Sequence, residues 1–419
     1  MRISTYATVV QPDDDTTAVH SGVAGELVML PTRDWTRVQA FCAGTDDGAG
    51  LEDRLHALVR ARVLIDESLD ELAVLRSRYQ RSRYTGKLGL TVVTSLGCNF
   101  DCPYCFEEKH PSKLKPAVAD AIVAVLEDSP DNLPGVHVTW MGGEPLLGAE
   151  ELFALSTRLR AVSERRGFPY SADIVTNGWY LDAAMAARLA EHGVRGAQVT
   201  IDGPPDVHDR YRPHVNGGST YERVVANVVE AAPHLRVGVR VNVDRGNLGR
   251  VEELIADLAA RGLAGRIGLG VARMTSVVAN PGSPVATYGG TCFTSPEFGA
   301  VEIEFDQLAA RYGFSVRPSP GVVHTPCTAV RSTDVVVGAD GELWKCWDDI
   351  GDAEAAIGTI FEYASVDADG VTPWLAYDPF SDPHCSTCIA LPGCMGGCAH
   401  HLFHGDDPLE RCGSFRTNH

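Results

Sequence analysis

Between residues 87 and 275, the spacing of hydrophobic residues alternates repeatedly between that typical of a strand and that typical of a helix. Short runs rich in Val, Ile and Thr predict six strands, over 89–95, 136–141, 171–176, 196–202, 236–243 and 266–272. Apolar residues at helical spacing predict helices between them, over 117–126, 150–161, 183–191, 221–231 and 251–260. Strands that alternate with helices of this length form parallel βα units with right-handed crossovers. The predicted fold class is therefore α/β, with a TIM-like partial (β/α)6 barrel instead of a closed eightfold one.

Residues 1–86 predict a small separate unit in front of the barrel. Two β-like stretches, 6–10 and 26–30, flank a polar turn region, and helical patterns follow. A further strand is predicted at 63–65, and Asp70 is a candidate N-cap for the last helix. Strands combined with two or three helices are typical of a winged-helix-like domain. A plain structural cap on the catalytic domain would give the same pattern.

The remainder of the chain has weaker periodicity. Residues 276–326 begin with a Pro/Gly-rich stretch, contain one predicted helix over 296–312, and are interpreted as a bridge. From 327 to 419, glycines, turns and seven cysteines replace apolar periodicity. Because this pattern does not predict a conventional core, we expect bound metal to hold the segment together.

Composition narrows the functional class. The chain has 36 basic and 55 acidic residues, a net charge of −19, which disfavours nucleic acid as a partner. No apolar run reaches the roughly 18 residues of a membrane span, and the N-terminus lacks a signal-peptide core. We therefore expect a cytoplasmic protein without a membrane partner, whose 12 cysteines are mostly metal ligands. Cys42, on the apolar face of a helix, is expected to be a buried structural thiol.

Three cysteines follow the first barrel strand on a tight loop. Cys98, Cys102 and Cys105 are separated by three and then two residues. Three thiolates around one centre supply three of the four ligands of a tetrahedral site and leave one metal position open for chemistry. A zinc knuckle completed by a distant residue is the alternative.

Three other motifs follow predicted strands. Functional residues of a parallel sheet lie at the carboxyl ends of its strands, so residues 142–145, 176–178 and 202–203 are expected to face the same mouth as the cysteine loop. Gly142 and Gly143 would let a ligand approach the backbone closely. Glu144 beside them can hold a cationic amine.

The Cys-x3-Cys-x2-Cys loop, the Gly-Gly-Glu-Pro turn and the partial barrel together resemble the radical S-adenosylmethionine (SAM) enzymes. The resemblance implies that Cys98, Cys102 and Cys105 hold a 4Fe-4S cluster whose fourth iron is chelated by SAM. An electron from a reductant such as flavodoxin or ferredoxin would then cleave SAM to methionine and a 5′-deoxyadenosyl radical that abstracts hydrogen. It also implies a set of SAM-binding residues around the adenine, the methionine amine and the ribose or carboxylate: Tyr104, Gly142, Gly143, Glu144, Pro145, Thr176, Asn177, Thr200 and Asp202.

The C-terminal cysteines are similar to the seven-cysteine SPASM signature of radical SAM enzymes that act on peptides and proteins. Thirteen residues and then Gly341 follow Cys327, and four more residues precede Cys346; the last five cysteines have two, five, three and thirteen residues between them. The resemblance implies an outer 4Fe-4S cluster on Cys385, Cys388, Cys394 and Cys412. It implies an inner one on Cys327, Cys346 and Cys398, which makes three clusters in the chain. Two zinc sites are the alternative.

The inner cluster is one ligand short. There are three interpretations, and all stay open: Cys292 supplies the missing ligand, the iron is open and binds substrate, or Cys292 is a buried, inert thiol. Asp348 and Asp349, close to Cys346 in the sequence, are candidates for a base or proton donor. His400, His401 and His404 are expected at the surface or as hydrogen-bond partners of the cluster ligands.

Enzymes with this signature divide mainly into maturases of ribosomally made peptides and anaerobic sulfatase-maturing enzymes. The first class often carries an N-terminal winged-helix domain that binds the precursor's leader, and the second usually has an aspartate where this chain has Trp347. We therefore predict a peptide maturase that installs a thioether or carbon–carbon cross-link, or a related modification, and binds the leader through residues 1–86. The alternatives are a formylglycine-generating enzyme and a non-catalytic, zinc-stapled interaction protein.

Overall fold

The structure is a computed structural model. It describes residues 1–275, 280–289, 291–316, 321–366, 368–405 and 407–418. The first four residues of the predicted bridge, 276–279, lie outside the described residues. None of the described helices is long and apolar enough to cross a lipid bilayer.

The N-terminal unit contains two small antiparallel sheets and three helices. Its elements are β1 (Arg2–Ile3), β2 (Ala7–Val10), β3 (Thr16–Ser21), β4 (Glu26–Pro31), α1 (Thr32–Cys42), α2 (Glu52–Arg60), β5 (Leu64–Ile65) and α3 (Glu71–Tyr84). Strand β3 lies between β2 and β4, and β1 pairs with β5. Asp70 caps α3 as predicted, because its carboxylate accepts a hydrogen bond from the backbone N–H of Ala73 at 3.0 Å.

The prediction of a polar turn between the first two strands was wrong, because β3 occupies residues 16–21. Its inward-facing side chains are Thr17, Val19 and Ser21, all fully buried. Only one of these three is strongly apolar, so the strand shows little of the alternation by which buried strands are recognised.

The central domain confirms the partial barrel. Its strands are β6 (Leu88–Ser95), β7 (Val136–Gly142), β8 (Tyr170–Thr176), β9 (Val194–Thr200), β10 (Arg236–Val243) and β11 (Gly268–Arg273). They are neighbours in chain order and all run parallel. The helices around them are α4 (Pro116–Glu127), α5 (Ala149–Arg166), α6 (Ala183–Glu191), α7 (Pro205–Tyr211), α8 (Tyr221–Ala231) and α9 (Val251–Ala260). Helix α7 is absent from the sequence prediction, since seven residues are too few for a clear helical period.

The C-terminal segment begins inside the same sheet. Strand β12 (Asp334–Val337) pairs in parallel with β6, and β13 (Glu342–Trp344) and β14 (Gly358–Thr359) extend the sheet to nine strands. Helix α10 (Ser295–Arg311) precedes them and has a capping box between Thr294 and Glu297. The remaining α-helices are α11 (Ala368–Ala376), α12 (Pro383–Ser386), α13 (Leu391–Cys394), α14 (Ala399–His404) and α15 (Phe415–Asn418). Short 3-10 helices lie at Pro145–Gly148, Leu248–Arg250, Pro284–Thr287, Thr328–Val330, Trp347–Asp349, Ile360–Ser365 and Pro408–Arg411.

Helix α3 joins the N-terminal unit to the C-terminal segment. Its buried residues Leu75 and Tyr79 share an apolar cluster with Phe380 and Met395. Arg83, only 1% exposed, donates hydrogen bonds to four backbone carbonyls: Val330 at 2.8 Å, Tyr377 at 3.2 Å, Trp374 at 3.3 Å, and Leu375. These contacts fix α3 to the segment that carries the last cysteines.

Candidate active site

A cavity of about 470 Å³ lies at the carboxyl ends of the barrel strands. The predicted site residues that line it are Cys98, Cys102, Tyr104, Cys105, Gly142, Gly143, Thr176, Asn177, Thr200, Asp348 and Cys398. The structure therefore brings the three-cysteine loop, the ends of β7, β8 and β9, and part of the C-terminal segment to one cavity.

The three thiols of the cysteine loop lie in a buried environment. Burial raises the pKa of Cys98 to about 11 and that of Cys105 to about 12, and it also raises the pKa of Cys102. The Phe100 N–H donates a hydrogen bond to the Cys98 sulfur at 3.4 Å. Metal ligands must be deprotonated, so thiolates at this depth need a bound cationic centre. Three such thiols at one cavity fit an iron–sulfur cluster with one open iron.

Two glycines at the end of β7 bring the backbone to the cavity wall. Gly142 has φ +126°, and a Cβ there would lie 2.3 Å from the Ser95 carbonyl oxygen. A Cβ on Gly143 would lie 2.6 Å from the Gly97 oxygen and 2.7 Å from the Leu96 oxygen. Since these contacts are below any normal carbon–oxygen separation, only glycine allows this turn to pack against the start of the cysteine loop.

Glu144 uses its carboxylate inside the chain. It is fully buried, and it accepts hydrogen bonds from Thr176 Oγ1 at 2.7 Å, Asn177 N–H at 2.8 Å and Leu146 N–H at 3.0 Å. Burial raises its pKa, while these hydrogen bonds act in the opposite direction. Glu144 and Pro145 are not among the cavity-lining residues. The structure therefore gives Glu144 the task of fixing the end of β8 against the glycine turn, rather than presenting a free carboxylate to an amine.

Tyr104 and Asp202 belong to a buried hydrogen-bonded group that also contains Arg212. Arg212 Nη1 donates to the Tyr104 hydroxyl oxygen at 2.7 Å, and that hydroxyl donates to Asp202. Asp202 also accepts a hydrogen bond from the Asn242 N–H at 3.0 Å. Tyr104 and Arg212 line the cavity, whereas the fully buried Asp202 does not. Asp202 therefore orients Tyr104 from behind the cavity wall.

Several cavity residues were missed by the sequence analysis. Arg240 and Asn242 lie two residues apart near the end of β10, and both line the cavity. Polar side chains at this spacing at the carboxyl end of a strand are a signal that could have identified them. Arg212 follows the missed helix α7, and no comparable pattern of residues marks its position. Glu107 also lines the cavity, and burial raises its pKa to about 8.

The C-terminal thiols form two groups. The charges of Cys394 and Cys412 both raise the pKa of Cys385, and Cys388 acts on Cys394 in the same way. In the other group, the charge of Cys398 raises the pKa of Cys346, and that of Cys327 raises the pKa of Cys398. Electrostatic effects of this kind require proximity. Neighbouring thiols are therefore found within each of the two predicted sets, and Cys398 of the second set, which also contains Cys327 and Cys346, lines the cavity; that each set holds a cluster stays a prediction.

Three residues differ from their simplest predicted role: Cys292 and Asp349 do not line the cavity, and Cys42 is not fully buried. Cys292 packs, partly buried, against the apolar group that includes Tyr211 and Met274, and the charges that act on it are those of Asp244 and Arg273. Asp348 lines the cavity, but Asp349 does not. Asp349 instead faces His400, with 3.4 Å between Asp349 Oδ1 and His400 Nε2. Cys42 is free and half-buried in the N-terminal unit.

Replacing Gly143 by alanine is expected to destabilise the site by about 2–3 kcal/mol, because the added methyl group must displace two backbone carbonyls. SAM affinity of the reconstituted protein should fall at least tenfold, as measured by equilibrium dialysis. Gly249→Ala is the matched control, because a Cβ there meets no atom within 4 Å. Equal affinities in the two variants would contradict the close packing at Gly143.

Comparison with known protein families identifies the kind of domain that contains this site. The family model described as the Radical SAM superfamily matches residues 92–258, which run from β6 to α9. The chain therefore contains a radical SAM domain, and this family implies a 4Fe-4S cluster and SAM.

Particular relatives share part of the chain. Pre-heme d1 synthase of Dinoroseobacter shibae is 29% identical over 164 residues, 38% of this chain and 37% of that protein. A cysteine-type anaerobic sulfatase-maturating enzyme of Clostridium perfringens is 26% identical over 136 residues, 31% of this chain and 36% of that protein. The chain thus spans little more than a third of the length of these curated relatives.

Solved structures extend the similarity in fold. Native anSMEcpe with bound AdoMet has a TM-score of 0.60 and 17% identity, over 79% of this chain and 94% of that one. Streptococcus suis SuiB bound to precursor peptide SuiA has a TM-score of 0.55 and 15% identity, over 97% of both chains. At these identities the similarity concerns the fold alone.

Proposed function

We propose that this protein is a radical SAM peptide maturase that removes hydrogen from a precursor peptide to install a thioether or carbon–carbon cross-link, or a related modification. One observation carries the proposal. A single cavity is lined both by the Cys98–Cys105 loop and by Cys398 of the second thiol set. A substrate held there would contact both a SAM-binding cluster and an auxiliary one.

The residues present fit the cofactors of this chemistry. Cys98, Cys102 and Cys105 would hold the 4Fe-4S cluster, and Gly142 and Gly143, which line the same cavity, would border the bound SAM. When bound, the cluster and SAM supply a carbon radical that removes a hydrogen atom from the substrate. The two C-terminal thiol groups would hold two auxiliary clusters, with a flavodoxin- or ferredoxin-type protein as reductant.

The other cavity residues would position a peptide. Arg212, Arg240 and Arg273 line one cavity together with Glu107 and Asp348. Cations can bind peptide carbonyls or a carboxylate, and the two acids can bind an amine or hold a proton. Asp348 remains the candidate base, since it alone of the predicted acidic pair reaches the cavity.

The N-terminal sheet offers a surface for the leader of such a precursor. The pairing Val10–Ala18–Met29 puts these residues in one row across the sheet, and Val10 is 57% and Met29 54% exposed. Leu27, 58% exposed, lies on the same face. Strands β2 and β4 are both sheet edges in the described structure. A free edge beside an exposed apolar face suits an added peptide strand whose alternate side chains are apolar.

A second candidate function is sulfatase maturation by formylglycine formation. It is favoured by the similarity to the sulfatase-maturating relatives and by the higher TM-score of anSMEcpe, 0.60. The peptide maturase is preferred because the similarity to SuiB extends over 97% of this chain and that to anSMEcpe over 79%.

The test is to incubate the anaerobically reconstituted protein with reductant, SAM and the short peptide encoded beside its gene. The expected product has lost two hydrogens, and its formation depends on the leader. Met29→Glu should lower kcat/KM about tenfold or more, mainly through KM, because it puts a charge into the apolar leader surface. Val59→Glu is the control, since Val59 is 41% exposed on α2 of the same unit. Conversion of cysteine to an aldehyde in a sulfatase-type peptide, without modification of the precursor, would contradict the proposal.

A further inference from the structure

A group of metal-binding side chains lies beside the cavity and contains no cysteine. Asp349 ends the 3-10 helix Trp347–Asp349, and His400 and His404 lie one turn apart on α14. One ligand atom from each of the three residues lies within 4.8 Å of the other two. Two histidines at positions i and i+4 of a helix face the same side and can bind one ion together.

Within the described part of the chain, the buried members of this group have polar atoms without hydrogen-bond partners. His400 and Asp349 are each 2% exposed. Neither ring nitrogen of His400 has a hydrogen-bond partner, and neither does Asp349 Oδ1. A buried polar atom without a partner costs about 1–3 kcal/mol, so the facing pair of Asp349 Oδ1 and His400 Nε2 points to a ligand that binds both residues.

The distance between two of these atoms, one from Asp349 and one from His400, fits a tetrahedral cation. Asp349 Oδ1 and His400 Nε2 are 3.4 Å apart without forming a hydrogen bond. Two ligands of a tetrahedral zinc ion, with bonds of about 2.0–2.1 Å, lie about 3.4 Å from each other. An octahedral ion with bonds of the same length would bring them to about 3.0 Å.

Charge around the group also favours a cation. Three acidic residues, Asp348, Asp349 and Asp352, lie within five positions of the chain on this turn. One divalent ion would therefore be bound among acidic groups, with two neutral imidazoles and one carboxylate as ligands.

We propose that Asp349, His400 and His404 bind one zinc ion, with a fourth position left for water or substrate. The site joins the turn after Cys346 to the helix that begins after Cys398. Zinc there would hold together two segments that carry thiols of the second set. His400 also lines the cavity, which places the ion at the cavity wall. The proposal uses no thiol, so it does not depend on the proposed function.

The experiment uses the full chain, purified anaerobically with its iron, incubated with one equivalent of Zn²⁺ and desalted. Elemental analysis should find about one zinc per chain. Zinc-edge X-ray absorption should show only nitrogen and oxygen neighbours near 2.0–2.1 Å, without sulfur near 2.3 Å. His404→Ala should lower zinc retention at least tenfold and leave iron content unchanged. The variant should fold, because His404 is exposed.

Two further variants distinguish zinc bound at these three residues from zinc bound elsewhere on the chain. His56→Ala, which removes an exposed histidine of the N-terminal unit, should retain zinc as the original protein does. Asp349→Asn keeps the shape of the side chain and should also weaken zinc retention. Zinc bound through sulfur, no retained zinc, or equal retention in His404→Ala would overturn the proposal. A loss of iron in His404→Ala would also overturn it, since it would make the histidine part of a cluster site.

Discussion

A variant in which Cys98, Cys102 and Cys105 are all replaced by alanine should contain about eight irons per chain instead of about twelve and form no 5′-deoxyadenosine from SAM. The three proposed 4Fe-4S clusters would account for twelve irons, and this variant would lose the proposed ligands of one of them. SAM cleavage should fall by more than about 10³-fold, to background, because the open iron that would bind SAM is lost with that cluster. Iron analysis and chromatography of the products measure the two effects.

Cys42→Ala is the control for this variant. Cys42 is a free, half-buried cysteine of helix α1, and its replacement should change neither the iron content nor SAM cleavage. A colourless protein that contains zinc and no iron would instead support the non-catalytic interaction protein. Twelve irons retained in the triple variant would mean that these three thiols are not cluster ligands.

Arg83→Ala should lower the free energy of unfolding by about 3–5 kcal/mol. The guanidinium is 1% exposed and donates to four backbone carbonyls of the C-terminal segment. Removing it takes this donor from the Val330, Trp374 and Leu375 oxygens, at about 1–3 kcal/mol each before relaxation, whereas the Tyr377 oxygen keeps a hydrogen bond from the Tyr79 hydroxyl. It also removes the cation over the Tyr79 ring, 5.0 Å from its centroid. Denaturant unfolding under anaerobic conditions measures the change.

Arg81→Ala is the matched control on the same helix. Arg81 is exposed, so its loss should change stability by less than about 0.5 kcal/mol. Arg83→Lys should lie between the two, because an ammonium cannot reproduce the planar fork of donors. If Arg83→Ala is no less stable than Arg81→Ala, the contacts of α3 do not hold the two ends of the chain together.

Much of the barrel could be predicted because its strands and helices have strong, local periodicity. All six barrel strands begin and end within about two residues of the predicted positions. Elements without such periodicity were missed. In β3, Thr17 and Ser21 are buried polar residues, and β12 is only four residues long and pairs with β6 far away in the sequence. Pairings between distant segments leave no periodic pattern in the sequence.

In the candidate site, too, the positions of the motifs could be predicted, but the directions of individual side chains could not. Motif spacing placed Cys98, Gly142 and Asn177 at one cavity, because the ends of parallel strands share an edge. Spacing does not determine where a side chain points. Glu144 turns into the chain, and Asp349 faces His400 without lining the cavity, whereas Asp348 lines it. Which of two adjacent acids faces a cavity depends on the backbone path, which only the fold defines.

The pairing of β12 with β6 has a consequence for electron transfer. Cys98 follows β6, Cys346 follows β13, and β12 connects these two strands within one sheet. If both loops carry clusters, continuous backbone hydrogen bonds fix the distance between the redox centres, and a domain hinge does not change it. Electrons would then move between centres at a constant separation throughout turnover. The separation that governs the rate of that step would then be a property of the sheet itself.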